Sequence, residues 1–318
     1  MANPLTKLLR PRLPSAAVGL TGESAAVVAL DRRRDALVVR RAGFVPLPEG
    51  LVRPGFEESN VADVAELADV LGELVRSTGL MKRRRWSVAL PEAATRTAII
   101  TMESVPGSRA EADEMLRWKT ERTFGHAPDE LRVARERLRP DAQGRPRYLA
   151  TAVRLPVLVE YEAAFAALGW QAGLILPRHM GEAWWLMKDH APADALLVST
   201  HADGFTAVLL RAGQPLFVRS IVCEAEDRAD ELYRFLLFYR DRMAAHAGET
   251  GDASAQLAQL LVAGRGLEPQ VAHALVAETL DMHPRLVNAE DVRLALPAGD
   301  LDFNLIAAPA GLAALAWG

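Results

Sequence analysis

The sequence predicts a two-domain α/β protein in which one strand-and-helix cassette occurs twice and a small α+β subdomain interrupts the first copy. Short apolar runs separated by glycine-containing turns begin near residues 15 and 194, and a helical pattern follows each group. Between them, residues 91–155 change to the order strand, helix, strand, strand, bounded by polar or proline-containing segments. The length of 318 residues also corresponds to about two domains.

Residues 15–90 form the first predicted domain. The stretch VGLTGESAAVVAL, residues 18–30, has two apolar runs around a turn and predicts a hairpin, and DALVVRRAGFVPL predicts a third strand. Apolar residues at helical spacing predict a helix that begins at Val61 with Asn60 as its N-cap. The mostly apolar run WSVAL is typical of a buried strand, and it predicts the last strand before the inserted subdomain.

The inserted subdomain is predicted for residues 91–155. Its helix has Ser108 as N-cap and Glu111 at the matching position of a capping box. The runs LRVARERLR and RYLATAVRL predict two strands joined by the turn-rich segment PDAQGRP.

The rest of the chain completes both domains. Residues 156–193 are expected to return to the first domain, and residues 194–301 to form the second. That second domain begins with three strands, continues with a long helix in RADELYRFLLFYRDRM and ends with a strand, a glycine turn and a helix. Residues 302–318 predict a C-terminal helix that packs on the first domain.

Composition excludes several classes of protein. The net charge of -4 gives no positive field for nucleic acid, and the one cysteine, Cys223, allows neither an internal disulfide nor a cysteine zinc site. No apolar run reaches the roughly 18 residues of a transmembrane helix, and prolines interrupt the apolar part of the first sixteen residues. These features predict a cytoplasmic location.

Familiar catalytic motifs are missing from the sequence. It contains no P-loop, no HExxH pair and no G-x-S-x-G turn. The seven histidines are scattered without the spacing of metal ligands, so they predict surface or packed residues.

Duplicated cassettes around a cleft describe the actin-like, ribonuclease H-like architecture. The order of segments further resembles the PilM family, the actin-like cytoplasmic proteins of type IV pilus assembly, over nearly the whole chain. The resemblance lies in the hairpin above, in AEADEMLRWKTERTFGHAPDELRVARERL, in DELYRFLLFYRDRM, in LLVAGRGLEPQVAHAL and in the closing AGLAALAW. It implies an actin-like α/β fold of two domains with a small inserted α+β subdomain.

The resemblance also implies where a nucleotide would bind, and the first hairpin departs from the family pattern. There the family carries Asp-x-Gly followed by a small hydroxyl residue. Here Thr21 stands at the Asp position, Glu23 at the Gly position, and Ser24 keeps the hydroxyl. Shifting the alignment by one residue restores a glycine at Gly22 but puts Leu20 at the Asp position.

The other two expected contact regions are better preserved. In the second hairpin Asp203, Gly204 and Thr206 resemble the latter half of an actin-type loop, whereas Ser199 or Thr200 replaces the leading Asp. The turn on the adenosine side keeps Gly264 and Gly266, which also suit an ordinary strand-to-helix turn.

These departures predict weak nucleotide binding or none. A carboxylate about 5 Å from a phosphate charge repels it by roughly 3 kcal/mol at an effective dielectric near 20. A lost charge-assisted hydrogen bond costs about 1.5–3 kcal/mol more. Together these terms reduce affinity by roughly two to four decades. We therefore expect no cofactor or weakly bound ATP, and no metal site.

The expected function is a non-catalytic cytoplasmic scaffold at the inner face of the inner membrane. By resemblance, it binds the cytoplasmic tail of a PilN-like inner-membrane protein near the first domain and the inserted subdomain, with pilus motor components as further partners. One alternative is an ATP-binding actin-like switch with weak ATPase activity. Another is the cytoplasmic L-type component of type II secretion.

Overall fold

The structure is a computed structural model, and it describes residues 13–187, 193–250, 256–297, 299 and 301–317. Its fourteen strands are β1 Ala16–Leu20, β2 Ser24–Arg33, β3 Ala36–Pro46, β4 Arg85–Leu90, β5 Arg96–Thr101, β6 Leu131–Leu138, β7 Arg147–Arg154, β8 Gln171–Pro177, β9 Asp194–His201, β10 Gly204–Arg211, β11 Gln214–Val222, β12 Leu257–Ala263, β13 Arg285–Leu286 and β14 Leu294–Ala295. Its α-helices are α1 Val64–Ser77, α2 Arg109–Phe124, α3 Leu155–Ala167, α4 Arg178–Met187, α5 Arg228–Thr250, α6 Pro269–Leu280 and α7 Phe303–Ala314.

Two large sheets repeat one strand order. The first runs β14-β3-β2-β1-β4-β8 and the second β11-β10-β9-β12-β13. In each, three consecutive antiparallel strands are followed by parallel strands that join the free side of the first strand. This repeat confirms the predicted duplication and the actin-like α/β fold. The third sheet, in the order β5-β7-β6, lies within the inserted region.

Helix packing divides the protein into layers. Helices α4 and α7 lie between the inner faces of the two large sheets and share one apolar core with both. Helices α1 and α3 cover the outer face of the first sheet, and α5 and α6 cover that of the second. The inserted sheet has its own small core against α2. None of the described helices is both long and apolar enough to cross a membrane.

Local capping explains where two helices begin. Ser108 accepts a hydrogen bond from the Glu111 N–H at 3.1 Å, as the capping box predicts. The Glu111 carboxylate accepts from the N–H of Gly107 at 2.7 Å, one residue before the N-cap residue to which a capping box would bond it. The predicted cap at Asn60 is wrong. Asp63 caps α1 instead, because its carboxylate accepts from two N–H groups of the first turn. The Asn60 side chain bonds the main chain of Gly55 and closes the preceding loop.

Candidate functional site

A cavity of about 640 Å³ opens between the two large sheets. The turns after β1, β9 and β12 all reach it, so the duplicated fold brings together three segments that are far apart in sequence. Of the eight predicted contact residues, six line the cavity: Thr21, Glu23, Ser24, Asp203, Gly264 and Gly266. Gly204 and Thr206 are not among the lining residues.

The first turn satisfies its own hydrogen-bonding groups. The Thr21 hydroxyl oxygen accepts from the main-chain N–H groups of Glu23 at 3.1 Å and Ser24 at 2.8 Å, and it lies 2.9 Å from the Ser24 hydroxyl. These N–H groups are the donors that a turn of this kind would otherwise offer to a phosphate. Thr21 thus keeps the shape of the hairpin while occupying its donors. The exposed Glu23 adds a carboxylate to the same side of the cavity.

The second turn presents a carboxylate and buries the predicted hydroxyl. Asp203 is exposed at the cavity. Thr206 is completely buried, because the alternation of a strand directs it away from the turn. Its hydroxyl lies 2.9 Å from that of Ser220 and donates to Glu92 at 3.4 Å. Gly204, with a φ of 136°, lies so close to β11 that a Cβ there would meet the Ile221 carbonyl at 2.0 Å. Both residues therefore serve the packing of β10.

The third turn needs both of its glycines. A Cβ on Gly264 would lie 2.3 Å from the Thr200 carbonyl oxygen, and both glycines have positive φ. Between them, the Arg265 guanidinium lies 5.2 Å from the ring centre of Phe44, which belongs to the first domain. This contact joins the two domains across the mouth of the cavity.

Arg228 connects the second and third turns. It is only 5% exposed, and its guanidinium donates to the carbonyls of His201 at 2.7 Å and Ala202 at 2.9 Å. The same group donates to the Arg265 carbonyl at 3.2 Å. A Cβ on Gly266 would overlap this guanidinium. The space between the two turns is therefore filled by a side chain of the protein itself.

A buried polar layer forms the floor of the cavity. Glu92 accepts from the His179 N–H at 2.6 Å, and its other oxygen lies 2.6 Å from His179 Nδ1. Burial opposes ionisation of Glu92, but the charge and hydrogen bonds of His179 outweigh it and lower the pKa of this carboxyl. Since Thr206 belongs to the second domain, Glu92 also links the domains beneath the cavity.

Beside this pair, Arg178 and Glu182 form a second buried ion pair at 3.1 Å. Burial raises the pKa of Glu182 in spite of the arginine. Burial also lowers the pKa of His201, whose ring belongs to the same layer. Within this layer, the hydrogen bond from Thr206 to Glu92 joins the two domains at the cavity floor.

Sequence reasoning did not find this layer. Glu92, Arg178 and His179 follow β4 and β8 directly, and those neighbouring strands are parallel. Carboxyl ends of parallel strands meet at one edge of a sheet, where ligand sites are common. Charged residues directly after two buried runs are the signal that could have revealed it.

Metal ligation and thiol chemistry find no support in the described part of the chain. No group of three His, Cys, Asp or Glu side chains there is placed to hold a metal ion. Cys223 is half-buried, and burial raises the pKa of its thiol, which disfavours the reactive thiolate.

A second candidate surface lies where the first domain meets the inserted subdomain. In the loop between β3 and α1, Phe56 is buried in the core of the inserted subdomain. Next to it, Glu57 accepts a hydrogen bond from Arg96 at 2.9 Å and lies 3.0 Å from His126 Nε2. The hydrogen bond with His126 lowers the pKa of the Glu57 carboxyl.

The same loop is attached to α3 at its other end. Glu160 accepts from the N–H groups of Asn60 at 2.7 Å and Val61 at 2.9 Å. The neighbouring apolar residue Val159 is 58% exposed. The junction therefore combines a fixed backbone with an open apolar side chain.

Comparisons with known proteins agree with this fold. No protein-family profile matches the sequence, and none of the curated protein sequences matches it. Among solved structures, a chain of a PilM-PilN type IV pilus biogenesis complex matches with a TM-score of 0.73 and 18% identity, over 97% of this chain and 100% of that one. The chain is thus PilM-like in fold.

More distant similarities include two other solved structures. A Bacteroides thetaiotaomicron protein with an actin-like ATPase fold has a TM-score of 0.47 and 11% identity, with 98% of this chain and 99% of that one covered. The cytoplasmic domain of EpsL, an inner-membrane component of the type II secretion system of Vibrio cholerae, has a TM-score of 0.45 and 11% identity, with 95% and 93% covered.

Proposed function

We propose that this chain is a non-catalytic cytoplasmic scaffold of a type IV pilus assembly complex, located at the inner face of the inner membrane. It binds the cytoplasmic tail of a PilN-like membrane protein and associates with the membrane through that partner, with pilus motor components as further partners. The observation that carries the proposal is the full-length similarity in fold to a chain of the PilM-PilN complex.

The first turn supports a scaffold rather than an ATPase. Thr21 occupies two N–H groups of the turn, and Glu23 places a carboxylate at the cavity where the family pattern has a glycine. A site that must stabilise transferring phosphate charge needs donors and cations at these positions. The hairpins are retained because the two sheets require them, independently of phosphate chemistry.

The tail is expected at the junction between the first domain and the inserted subdomain. Recognition of a peptide there needs apolar pockets and fixed main-chain groups, and no acid–base residues. The loop bound by Glu57 and Glu160 provides the fixed backbone, and Val159 provides an apolar contact.

Calorimetry with a synthetic tail peptide of the organism's own PilN-like protein tests this proposal. We expect saturable binding that Val159→Asp weakens at least tenfold, because a tenfold loss corresponds to about 1.4 kcal/mol and a buried charge without a partner costs more. Val271→Asp is the matched control, since Val271 is a 44% exposed helical valine of the second domain. Absence of binding by the well-folded wild-type protein would overturn the proposal.

An ATP-binding switch with weak hydrolysis is the second candidate function. The cavity between the domains favours it, because both hairpin turns and the third turn reach one space of about 640 Å³. Nucleotide held there would bias domain closure and hence partner affinity.

Thermal unfolding with ATP, with and without magnesium, separates the two functions. We expect no rise in melting temperature at micromolar ATP, because Thr21 occupies the N–H groups of Glu23 and Ser24 and the Glu23 carboxylate repels phosphate. A saturable rise at those concentrations would favour the switch. Buffer with magnesium alone is the control for effects of the ion on stability.

A further inference from the structure

Strand β6 forms an open edge of the inserted sheet. It pairs with β7 over all eight residues, Leu131–Leu138, without a shift in register. No other described strand pairs with its second side. Regular edges of this kind present unpaired N–H and C=O groups that can accept another strand.

The usual structural protections of an edge strand are missing from β6. Proteins protect such edges with very short strands, bulges, prolines or a covering element. β6 is eight residues long, contains no proline and has no bulge against β7. Its remaining protection is the charge of its side chains, which is mainly positive.

Three exposed arginines define this edge: Arg132, Arg135 and Arg137. Arg139 follows directly after the strand, and the strand's only carboxylate is Glu136. None of these four arginines has an ion-pair partner within the described ranges, whereas Arg96, Arg145 and Arg154 of the same subdomain each do. The positive edge also contrasts with the net charge of -4 of the whole chain.

Charge complementarity selects the class of partner. A second copy of β6 would pair two strands that both carry net positive charge, and like charges on paired strands destabilise the pairing. The first twelve residues of this chain contain Lys7, Arg10 and Arg12 and no carboxylate, so they are not complementary to the edge either. An acidic extended segment, in contrast, would satisfy both the main chain and the guanidinium groups.

We propose that β6 is a docking strand for an acidic, extended segment of a partner protein, which adds to the inserted sheet as a fourth strand. The main-chain groups of β6 supply the hydrogen bonds, and the arginines supply the preference for glutamate and aspartate. This site is separate from the junction at Val159 and does not depend on the pilus assignment.

Fluorescence anisotropy with a labelled eight-residue peptide of alternating glutamate and threonine tests the proposal on the full chain. We expect binding that weakens as ionic strength increases and that falls at least tenfold in the triple variant Arg132→Gln, Arg135→Gln, Arg137→Gln. The matched control is Arg33→Gln, Arg34→Gln, Arg83→Gln, which removes three exposed arginines of the first domain. Circular dichroism checks that both variants fold.

Two further probes distinguish the outcomes. A peptide with an N-methyl group on every residue keeps the charge but cannot complete the strand pairing along either of its edges, so it should bind at least tenfold more weakly. Equal binding by both peptides, or equal loss in both triple variants, would overturn strand addition in favour of non-specific attraction. Binding to anionic phosphatidylglycerol vesicles without binding to the peptide would overturn it in favour of a membrane contact.

Discussion

Glu92 shows how a single buried carboxylate connects three parts of the molecule. It follows a strand of the first domain, accepts from both the main chain and the ring of His179, and receives the hydroxyl of Thr206 from the second domain. Removing one partner of a buried pair typically costs about 3–5 kcal/mol, because the other charge stays buried. Although Glu92 lines the cavity, its contacts therefore stabilise the arrangement of the two domains.

The lowered pKa of Glu92 predicts an acid-dependent contribution to stability. Its pKa in the folded protein lies below the unfolded value of about 4.3, so its contribution is complete above that pH. The contribution is lost as the pH falls through the folded pKa. Glu92→Gln should be less stable than wild type at pH 7, and the difference should narrow as the medium becomes more acidic.

Urea unfolding between neutral and acidic pH measures this difference. The exposed Glu66→Gln variant is the control, and its difference from wild type should stay small at every pH. A gap between wild type and Glu92→Gln that stays constant down to pH 3 would contradict an ionised Glu92.

At the scale of elements, one arginine side chain holds two turns of the second domain together. The turns after β9 and β12 belong to parallel neighbours, and Arg228 at the start of α5 donates to carbonyls of both. This side chain fixes one helix and two turns at the same time. It thereby shapes the second-domain side of the cavity without help from a ligand.

Arg228→Met should destabilise the protein by about 3 kcal/mol, because three partly buried carbonyls lose their charged donor at once. Chemical unfolding measures the loss, and limited proteolysis should show faster cleavage near residues 263–266. Arg234→Met is the control on the same helix, since Arg234 is exposed and forms a surface ion pair with Glu231. Equal losses in the two variants would refute the role given to Arg228.

Helices and strands were predictable from the sequence where they are long enough for the spacing of apolar residues to repeat several times. The hairpins, α2 and the strands of both domains carry runs with clear periodicity and turns with glycine. β13 and β14 have two residues each and no period, so only long-range pairing reveals them. Asn60 and Asp63 are equally good caps by residue type, and the loop geometry at Gly55 decided between them.

The candidate site was predictable only in part, for a related reason. Thr21, Asp203 and Gly264 lie on turns that the duplicated pattern already locates. Gly204 and Thr206 were assigned to the cavity from a motif, but strand alternation and the packing of β10 against β11 place them elsewhere. The partners Glu92 and His179 are 87 residues apart, and no local pattern connects them.

At the scale of the whole molecule, the layer between the sheets makes the two domains one unit. Helices α4 and α7 approach so closely that a Cβ on Gly311 would overlap the Gly181 carbonyl oxygen. Trp185 donates to the Ala307 carbonyl at 2.9 Å and fixes the register of the two helices. Both sheets contribute to this core. One domain therefore cannot rotate relative to the other unless these helices move with it or their packing is broken.

The position of α7 along the chain has a consequence for biosynthesis. Residues of β1, β2 and β4 are translated more than 200 residues before α7, the helix that covers their inner face. Until then that apolar surface has no native cover, and such exposed surfaces favour aggregation and chaperone binding. The first domain can therefore complete its folding only after α7 has been translated and released.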